Sequence, residues 1–439
     1  MRCTALITEP TDPRSGRRPS CGLPPTSDRC RSERYRRPRR RHPTSSALAG
    51  RGSRSGGRRP TAAISIVSPA SARRRSSVPD DESFRPSLPP AILRIPSKEG
   101  GLTVRYDDWG VRSQQWSGLH SMSTSVCGVP VHYVRAGPAS TAPADAPAHL
   151  LVPPMTGSAS MWLDLMPPLR RLGPVISVDL PGTIVGHTGD PYRHGPRADL
   201  DARFVAAFTR HLRLERPVVL HGWSTGGLVA ALAAPMMPQQ TRGVVLAAPA
   251  LPWRRTSPVE ALGWQTLGRL VVAAGPPTTR LVLRLAGRRL LAAKRTAIED
   301  AVSVAGARTD LLGGDPSRVS RAQVDLWLEG LAAAREHPER LAGTATAFAS
   351  IVEALFITQR RTNEALDSVR VPVLVLWGNN DHLVDPTCLL QHARRPGWTP
   401  RPVDDVGHLL PVEAPDLYTQ AVGRWLGDSL ELPGFGRPE

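Results

Sequence analysis

The sequence predicts an α/β protein: a mostly parallel central sheet flanked by helices, with a helical cap insertion. Three observations lead there. From residue 126 onward, short apolar runs alternate with helical patterns, which is how consecutive βαβ units read. The runs are continuously apolar, as strands covered on both faces must be. Residues 251–366 then break the alternation with a long stretch of helical periodicity and no convincing strand. A block of helices inserted between two strands of a sheet is a cap.

The elements follow in order. The first strand is expected at residues 129–135, ending at Gly137, and the second at 149–152. Residues 175–179, 218–221, 243–248 and 371–377 supply four more, and a last one is expected near 401–403. The longest uncharged stretch, residues 217–241, is long enough by count to span a bilayer. His221, Gly222, Gly226, Gly227, Pro235 and Pro238 interrupt it, so it reads as a strand, a tight turn and a helix. In the cap, Arg280, Arg284 and Arg288 recur at i, i+4 and i+8, with Leu281, Leu285 and Leu291 on another face. The plain reading is a solvated face over an apolar underside. The sharper one is contact with a membrane or an anionic substrate tail.

Charge divides the chain. Of the net +18 carried by 439 residues, residues 1–121 contribute +14, from 23 Arg and one Lys against 10 acids, leaving +4 for residues 122–439. Lys98 and Lys294 are the only lysines, and an arginine-, alanine- and proline-rich chain of this kind reflects coding bias as much as selection for charge. The folded part lacks the excess that phosphate neutralisation requires, so a nucleic-acid binder is not expected. The basic run 34–41 could touch nucleic acid or anionic membrane, but the bland expectation for residues 1–121 is a disordered leader. Met122 is then the natural beginning of the folded protein, an over-extended start being one explanation of what precedes it. Prolines in the leader block the amphipathic helix that an organelle transit peptide needs, and no apolar segment marks a secretory signal. Residues 122–250 and 367–439 form the expected core and residues 251–366 the cap.

Five cysteines (Cys3, Cys21, Cys30, Cys127, Cys388) make no disulfide framework in a chain of this length, so a reducing, cytoplasmic setting is expected. There is no P-loop, no dinucleotide fingerprint and no Cys/His spacing suited to zinc, so no cofactor and no metal are expected.

The chemistry gathers at Gly222-Trp223-Ser224-Thr225-Gly226-Gly227, between a strand and a helix. This is the setting of a nucleophile elbow, where the serine is forced into strained backbone geometry and small residues two positions to either side make room. A serine hydroxyl needs a histidine to take its proton and a carboxylate to fix that histidine's tautomer. Asp381, at the end of strand 371–377, and His408, after the last strand, are the chosen pair, since one crossover and one strand between them bring both to the same sheet edge. Asp385 reads as a turn residue before Pro386, and Asp404 and Asp405 as loop or strand-end charges. His149, His187, His221, His382 and His392 read as structural or solvated, with His221 a buried hydrogen bonder and His382 pointing away from the site. The N–H of Thr225 supplies one oxyanion donor, and the loop 153–162 should supply the other.

These residues resemble the α/β-hydrolase superfamily, specifically its capped single-domain branch of esterases, lipases, epoxide hydrolases and C–C bond hydrolases. The likeness covers residues 126–428. His132-Tyr133-Val134-Arg135-Ala136-Gly137, the loop reaching Trp162, Asp179-Leu180-Pro181-Gly182, the elbow, the Asp381 strand and Gly407-His408 stand in that family's order. The resemblance implies Ser224 as nucleophile, Asp381 as acid, His408 as base, and Met155 and Thr225 as oxyanion donors. A serine nucleophile argues against dehalogenase and epoxide hydrolase chemistry, which in this branch uses aspartate. Two features depart from the pattern: Pro153-Pro154 stands where His-Gly is usual, removing two N–H groups, and the turn after Gly182 is longer.

The expected function is therefore a serine hydrolase of the carboxylesterase or lipase kind, cleaving an ester-type bond of a mostly apolar small molecule. Trp264, Trp327, Phe348 and Phe356 are available to line its site. C–C and lactone hydrolysis are compatible. An acyltransferase or thioesterase on the same scaffold is the first alternative, and a slow ligand-binding relative the second.

Overall fold

Continuous apolar runs fold into an eight-stranded sheet of order β1-β2-β4-β3-β5-β6-β7-β8. The strands are β1 (His120–Val126), β2 (Val129–Ala136), β3 (Ala148–Val152), β4 (Val175–Val178), β5 (Val218–Trp223), β6 (Thr241–Ala247), β7 (Val373–Gly378) and β8 (Trp398–Val403). This computed structural model describes residues 105–439 except 156, 193–194, 254–256, 304–312, 337–340, 433–434 and 436–439. β1 and β2 pair antiparallel, as do β2 and β4, and every other pairing is parallel.

Neighbouring residues along the strands feed opposite faces, as the two-residue period demands. Leu151, Val219, Val245 and Leu374 enter one core, which includes Tyr418, Val422 and Trp425 of helix Pro415–Leu430. Leu150, Leu220, Val244 and Val373 enter the other, with Phe204 and Phe208 of helix Ala198–Leu212 and Leu228 of helix Thr225–Ala233. β8 lies at the sheet edge, where its two prolines, Pro400 and Pro402, do least harm to the ladder.

β1 was not foreseen. Its sequence, His-Ser-Met-Ser-Thr-Ser-Val, is polar and mostly exposed, and it is held by pairing with β2 through a two-residue turn. That turn places Cys127 at φ 52° and Gly128 at φ 82°, the doubly positive pattern that suits the twist of a hairpin.

The expected boundary at Met122 needs correction. Met122 sits inside β1 opposite Tyr133, and Trp109, Trp116 and Leu119 before it are buried in the core. Asp108 ties this segment down by accepting from the amides of Gly110 and Gly118, and Trp116 Nε1 donates to buried Asp164 at 2.9 Å. Two tryptophans and a leucine bury enough surface to order a segment whose average composition is polar. Residues 1–104 of the expected leader lie outside the described residues.

Between β6 and β7 the described residues contain helices and no strand, among them Arg269–Ser303, Arg321–Glu336 and Leu341–Val352. Leu281 and Leu285 are exposed rather than forming an apolar underside, while Leu291 is half-buried. The side chains of Arg280, Arg284 and Arg288 lie outside the described residues. Among the described residues no helix is long and apolar enough to cross a membrane.

Candidate active site

Parallel strands share a direction, so β5, β7 and β8 deliver their carboxyl ends to one edge of the sheet, where crossovers open a crevice. Ser224 follows β5 directly. Its backbone sits at φ 55°, ψ −120°, strained for a residue with a side chain, and its N–H is held by the carbonyl of Ala247 at 2.9 Å. The flanking glycines have no substitute. A Cβ on Gly222 would lie 2.3 Å from the Gly226 carbonyl oxygen, and one on Gly226 would lie 2.3 Å from that of Pro153. The elbow is thus wedged against the β3 loop.

Asp381 follows β7 and His408 follows β8, and their side chains meet: His408 Nδ1 lies 2.8 Å from Asp381 Oδ2. Asp381 accepts further from the amides of Leu383 and Val384 through Oδ1, which fixes the carboxylate. A Cβ on Gly378 would lie 2.0 Å from the Val406 carbonyl oxygen, so the close approach of the two loops depends on that glycine. Because the carboxylate can only accept, Nδ1 keeps the proton and Nε2 of a neutral His408 is left as a lone-pair acceptor. Among the described residues neither Ser224 Oγ nor His408 Nε2 has a hydrogen-bond partner, and both residues line one cavity.

That cavity measures about 360 Å³. Ile184, Val185, Leu326, Trp327 and Leu331 make most of its wall apolar, and helices Arg269–Ser303 and Arg321–Glu336 of the insertion form part of it. Of the four aromatic residues expected there, Trp327 alone is among the lining residues. Trp264 stacks on Phe356 at 4.4 Å, and Phe348 is exposed. A wider recess of about 750 Å³ beside Thr124, Tyr133 and His211 contains none of the predicted site residues.

Met155 and Thr225 are in contact, but differently from a pair of idle donors. The Met155 N–H donates to Thr225 Oγ1 at 2.9 Å, so the hydroxyl occupies that donor.

The remaining acids and histidines sort as follows. Asp385 caps helix Pro386–His392 by accepting from Thr387 N, and Asp404 and Asp405 are exposed and bonded to Asn379 and Asn380. His382 is exposed and absent from the cavity wall. His392 Nε2 donates to the Pro252 carbonyl at 2.9 Å. The His187 amide donates to Asp179. Asp179 is fully buried and would be raised by burial, yet His132, with the His187 charge and the Ala159 amide, holds its pKa below the ordinary carboxylate value.

His149 and His221 form a relay behind the elbow. His149 Nε2 faces the Leu172 carbonyl at 3.1 Å, which can only accept, so that nitrogen carries the proton. His149 Nδ1 must then accept from His221 Nε2 at 2.8 Å, and His221 Nδ1 from the Tyr418 hydroxyl at 2.9 Å. Burial lowers His149 to about 4 and His221 well below its ordinary value.

Three supports were missed. Gly313, between two helices of the insertion, accepts from the His408 amide at 2.5 Å, Trp223 Nε1 donates to the His408 carbonyl at 2.9 Å, and Glu413 accepts from the Gly407 amide at 3.2 Å. Burial raises the Glu413 pKa despite that amide and the nearby Arg318. Only the Glu five residues after His408 could have been flagged from sequence.

A family model described as the alpha/beta hydrolase family matches residues 150–421. The pimeloyl-[acyl-carrier protein] methyl ester esterase of Neisseria meningitidis is 38% identical over 88 residues, which is 20% of this chain and 31% of that protein. The chain thus matches about a third of that relative's length. Among solved structures, the epoxide hydrolase CorEH is 18% identical at a TM-score of 0.50, over 70% of this chain and 98% of that one, a likeness of fold. The naproxen esterase of Bacillus subtilis is 18% identical at a TM-score of 0.49, over 72% of this chain and 95% of that one.

Proposed function

The chain belongs to the alpha/beta hydrolase family, and on that premise we propose that it is a serine hydrolase cleaving an ester-type bond of a mostly apolar small molecule. The observation that carries the reading is that a strained Ser224 and an Asp381-bonded His408 line one apolar cavity.

In this reading Ser224 Oγ attacks the ester carbonyl while His408 Nε2 takes its proton. His408 then returns the proton to the leaving alcohol, and a water activated by the same nitrogen releases the acyl group. Asp381 orients the imidazole and stabilises its charged form. The open Ser224–His408 contact tightens when substrate fills the cavity, as such contacts do in unliganded enzymes. Thr225 N–H and Met155 N–H are the proposed oxyanion donors, the latter once the substrate oxygen displaces or shares the Thr225 hydroxyl. The insertion acts as the cap that shields the reacting groups from bulk solvent while admitting the one water that deacylation consumes. The methyl ester named in the Neisseria relative is in keeping with ester chemistry, over the short stretch that matches.

A fluorophosphonate probe tests this directly. Labelling should fall on Ser224 and vanish in Ser224→Ala, with hydrolysis of activated esters lost in parallel. An intact protein that resists the probe, or an alanine variant with full esterase activity, overturns the reading.

A further inference from the structure

One cavity-lining residue has no task in the mechanism above. Lys294 lies on helix Arg269–Ser303, with Leu291 three residues before it and Ile298 four after, and all three line the cavity that holds Ser224 and His408. That spacing puts them on one helix face, turned toward the apolar chamber. Among the lining residues Lys294 is the one permanent cation and there is no carboxylate. Among the described residues no carboxylate forms an ion pair with it. Lys294 is exposed, and the protein around its amine still lowers its pKa from the ordinary lysine value by desolvation.

An ammonium at the rim of an apolar chamber, partly withdrawn from water, gains from an anionic group brought into that chamber. The choice of residue sharpens the point. Positive charge in this chain is almost all arginine, and Lys294 is the one lysine among the described residues. A lysine is a compact point charge on a flexible stem, suited to meeting a single anionic group in a narrow apolar space.

We propose that Lys294 is a specificity-determining residue that binds a carboxylate carried by the substrate away from its scissile ester. The substrate class is then an ester of an apolar chain with an anionic end, such as a half-ester of a medium-chain dicarboxylic acid. The inference rests on Ser224 being the nucleophile of that same cavity. The apolar walls take the chain, Ser224 takes the ester carbonyl, and the ammonium takes the far charge.

The test compares activated aryl esters of octanoic acid and of suberic acid, equal in length and differing in the terminal carboxylate, on the full-length protein, Lys294→Met and Lys294→Arg. Fluorophosphonate labelling of Ser224 in each variant reports that the site is assembled. The wild type should favour the carboxylate ester in kcat/KM by about tenfold or more, the worth of one modest charge pair. Lys294→Met should lose that preference through KM, and Lys294→Arg should keep most of it. A wild-type ratio near one, or a ratio unchanged in Lys294→Met, overturns the inference and leaves the serine-hydrolase reading standing. If neither ester is hydrolysed, the hydrolase reading fails instead, and calorimetric binding of monomethyl suberate against methyl octanoate decides the role of Lys294. Tighter binding of the charged ester that Lys294→Met abolishes upholds it, and equal binding overturns it.

Discussion

His408 Nδ1 and Asp381 Oδ2 stand 2.8 Å apart although 27 residues separate them in sequence, and the other oxygen of Asp381 is tied down by the amides of Leu383 and Val384. The carboxylate can only accept, so it dictates which imidazole nitrogen keeps the proton. An asparagine there can donate its amide to Nδ1 and hold the wrong tautomer. Asp381→Asn is therefore expected to lower kcat by about 10⁴-fold with KM little changed, the loss such a swap brings when geometry survives. Steady-state kinetics on an activated ester checks it, with Asp385→Asn as the control that removes a nearby carboxylate charge and keeps the acceptor of its helix cap. A variant keeping more than about a hundredth of the activity would remove Asp381 from its role.

Trp116 carries the second prediction. It is fully buried, meets Trp109 edge-on at 6.1 Å and donates its indole N–H to Asp164. Trp116→Ala should lower the unfolding free energy by about 3–5 kcal/mol, the usual loss for a large aromatic side chain in a core. Denaturant unfolding measures it. A change within the scatter of surface substitutions, about 0.5 kcal/mol, would mean that residues before Met122 are dispensable to the fold.

The pattern of what the sequence disclosed follows from where the information sits. Ser224, Asp381 and His408 were legible because each stands at a strand end inside a short run whose glycines or turns have a steric reason, and parallel strands put such ends together. β1 was illegible because an exposed edge strand needs no apolar signature. Gly313 and Trp223 support His408 through contacts between distant segments, which no local pattern encodes. Aromatic content suggested an apolar site, but composition does not say which face a ring takes: Trp327 lines the cavity while Phe348 faces solvent.

The third prediction concerns acid. His149 is held to about 4 in the fold against an ordinary 6.5, so between those values the unfolded chain binds a proton the folded one refuses. Stability contributed by neutral His149 is present above pH 6.5 and is lost as pH falls toward 4, by about 1.4 kcal/mol per unit at most. His221, also lowered, acts in the same sense. His149→Gln should cost stability at pH 7 yet lose less between pH 6.5 and 4.5 than the wild type does. Thermal unfolding at the two pH values decides, and equal losses in both proteins would show that the relay does not set acid sensitivity.

The last prediction has the opposite sign. Asp201 is buried on helix Ala198–Leu212, receives the Tyr192 hydroxyl on Oδ1 at 3.0 Å, and has no partner for Oδ2 among the described residues. Burial raises its pKa to about 8; the Tyr192 bond opposes this, and Asp190 and Asp199 add to it. The folded protein therefore keeps a proton that the unfolded chain sheds above the ordinary carboxylate value near 3.8. Stability falls as pH rises across that window, up to the folded value, with a slope approaching 1.4 kcal/mol per unit. Below pH 6.5 this trend works against that of the two histidines, so the wild-type profile is a difference and only variants separate the contributions. Asp201→Asn keeps an acceptor for Tyr192 and has no proton to lose. It should be more stable than the wild type at pH 8, with an advantage that shrinks as pH falls toward 5. An asparagine variant whose melting temperature follows the wild type in parallel across that range would show that Asp201 stays ionised in the fold.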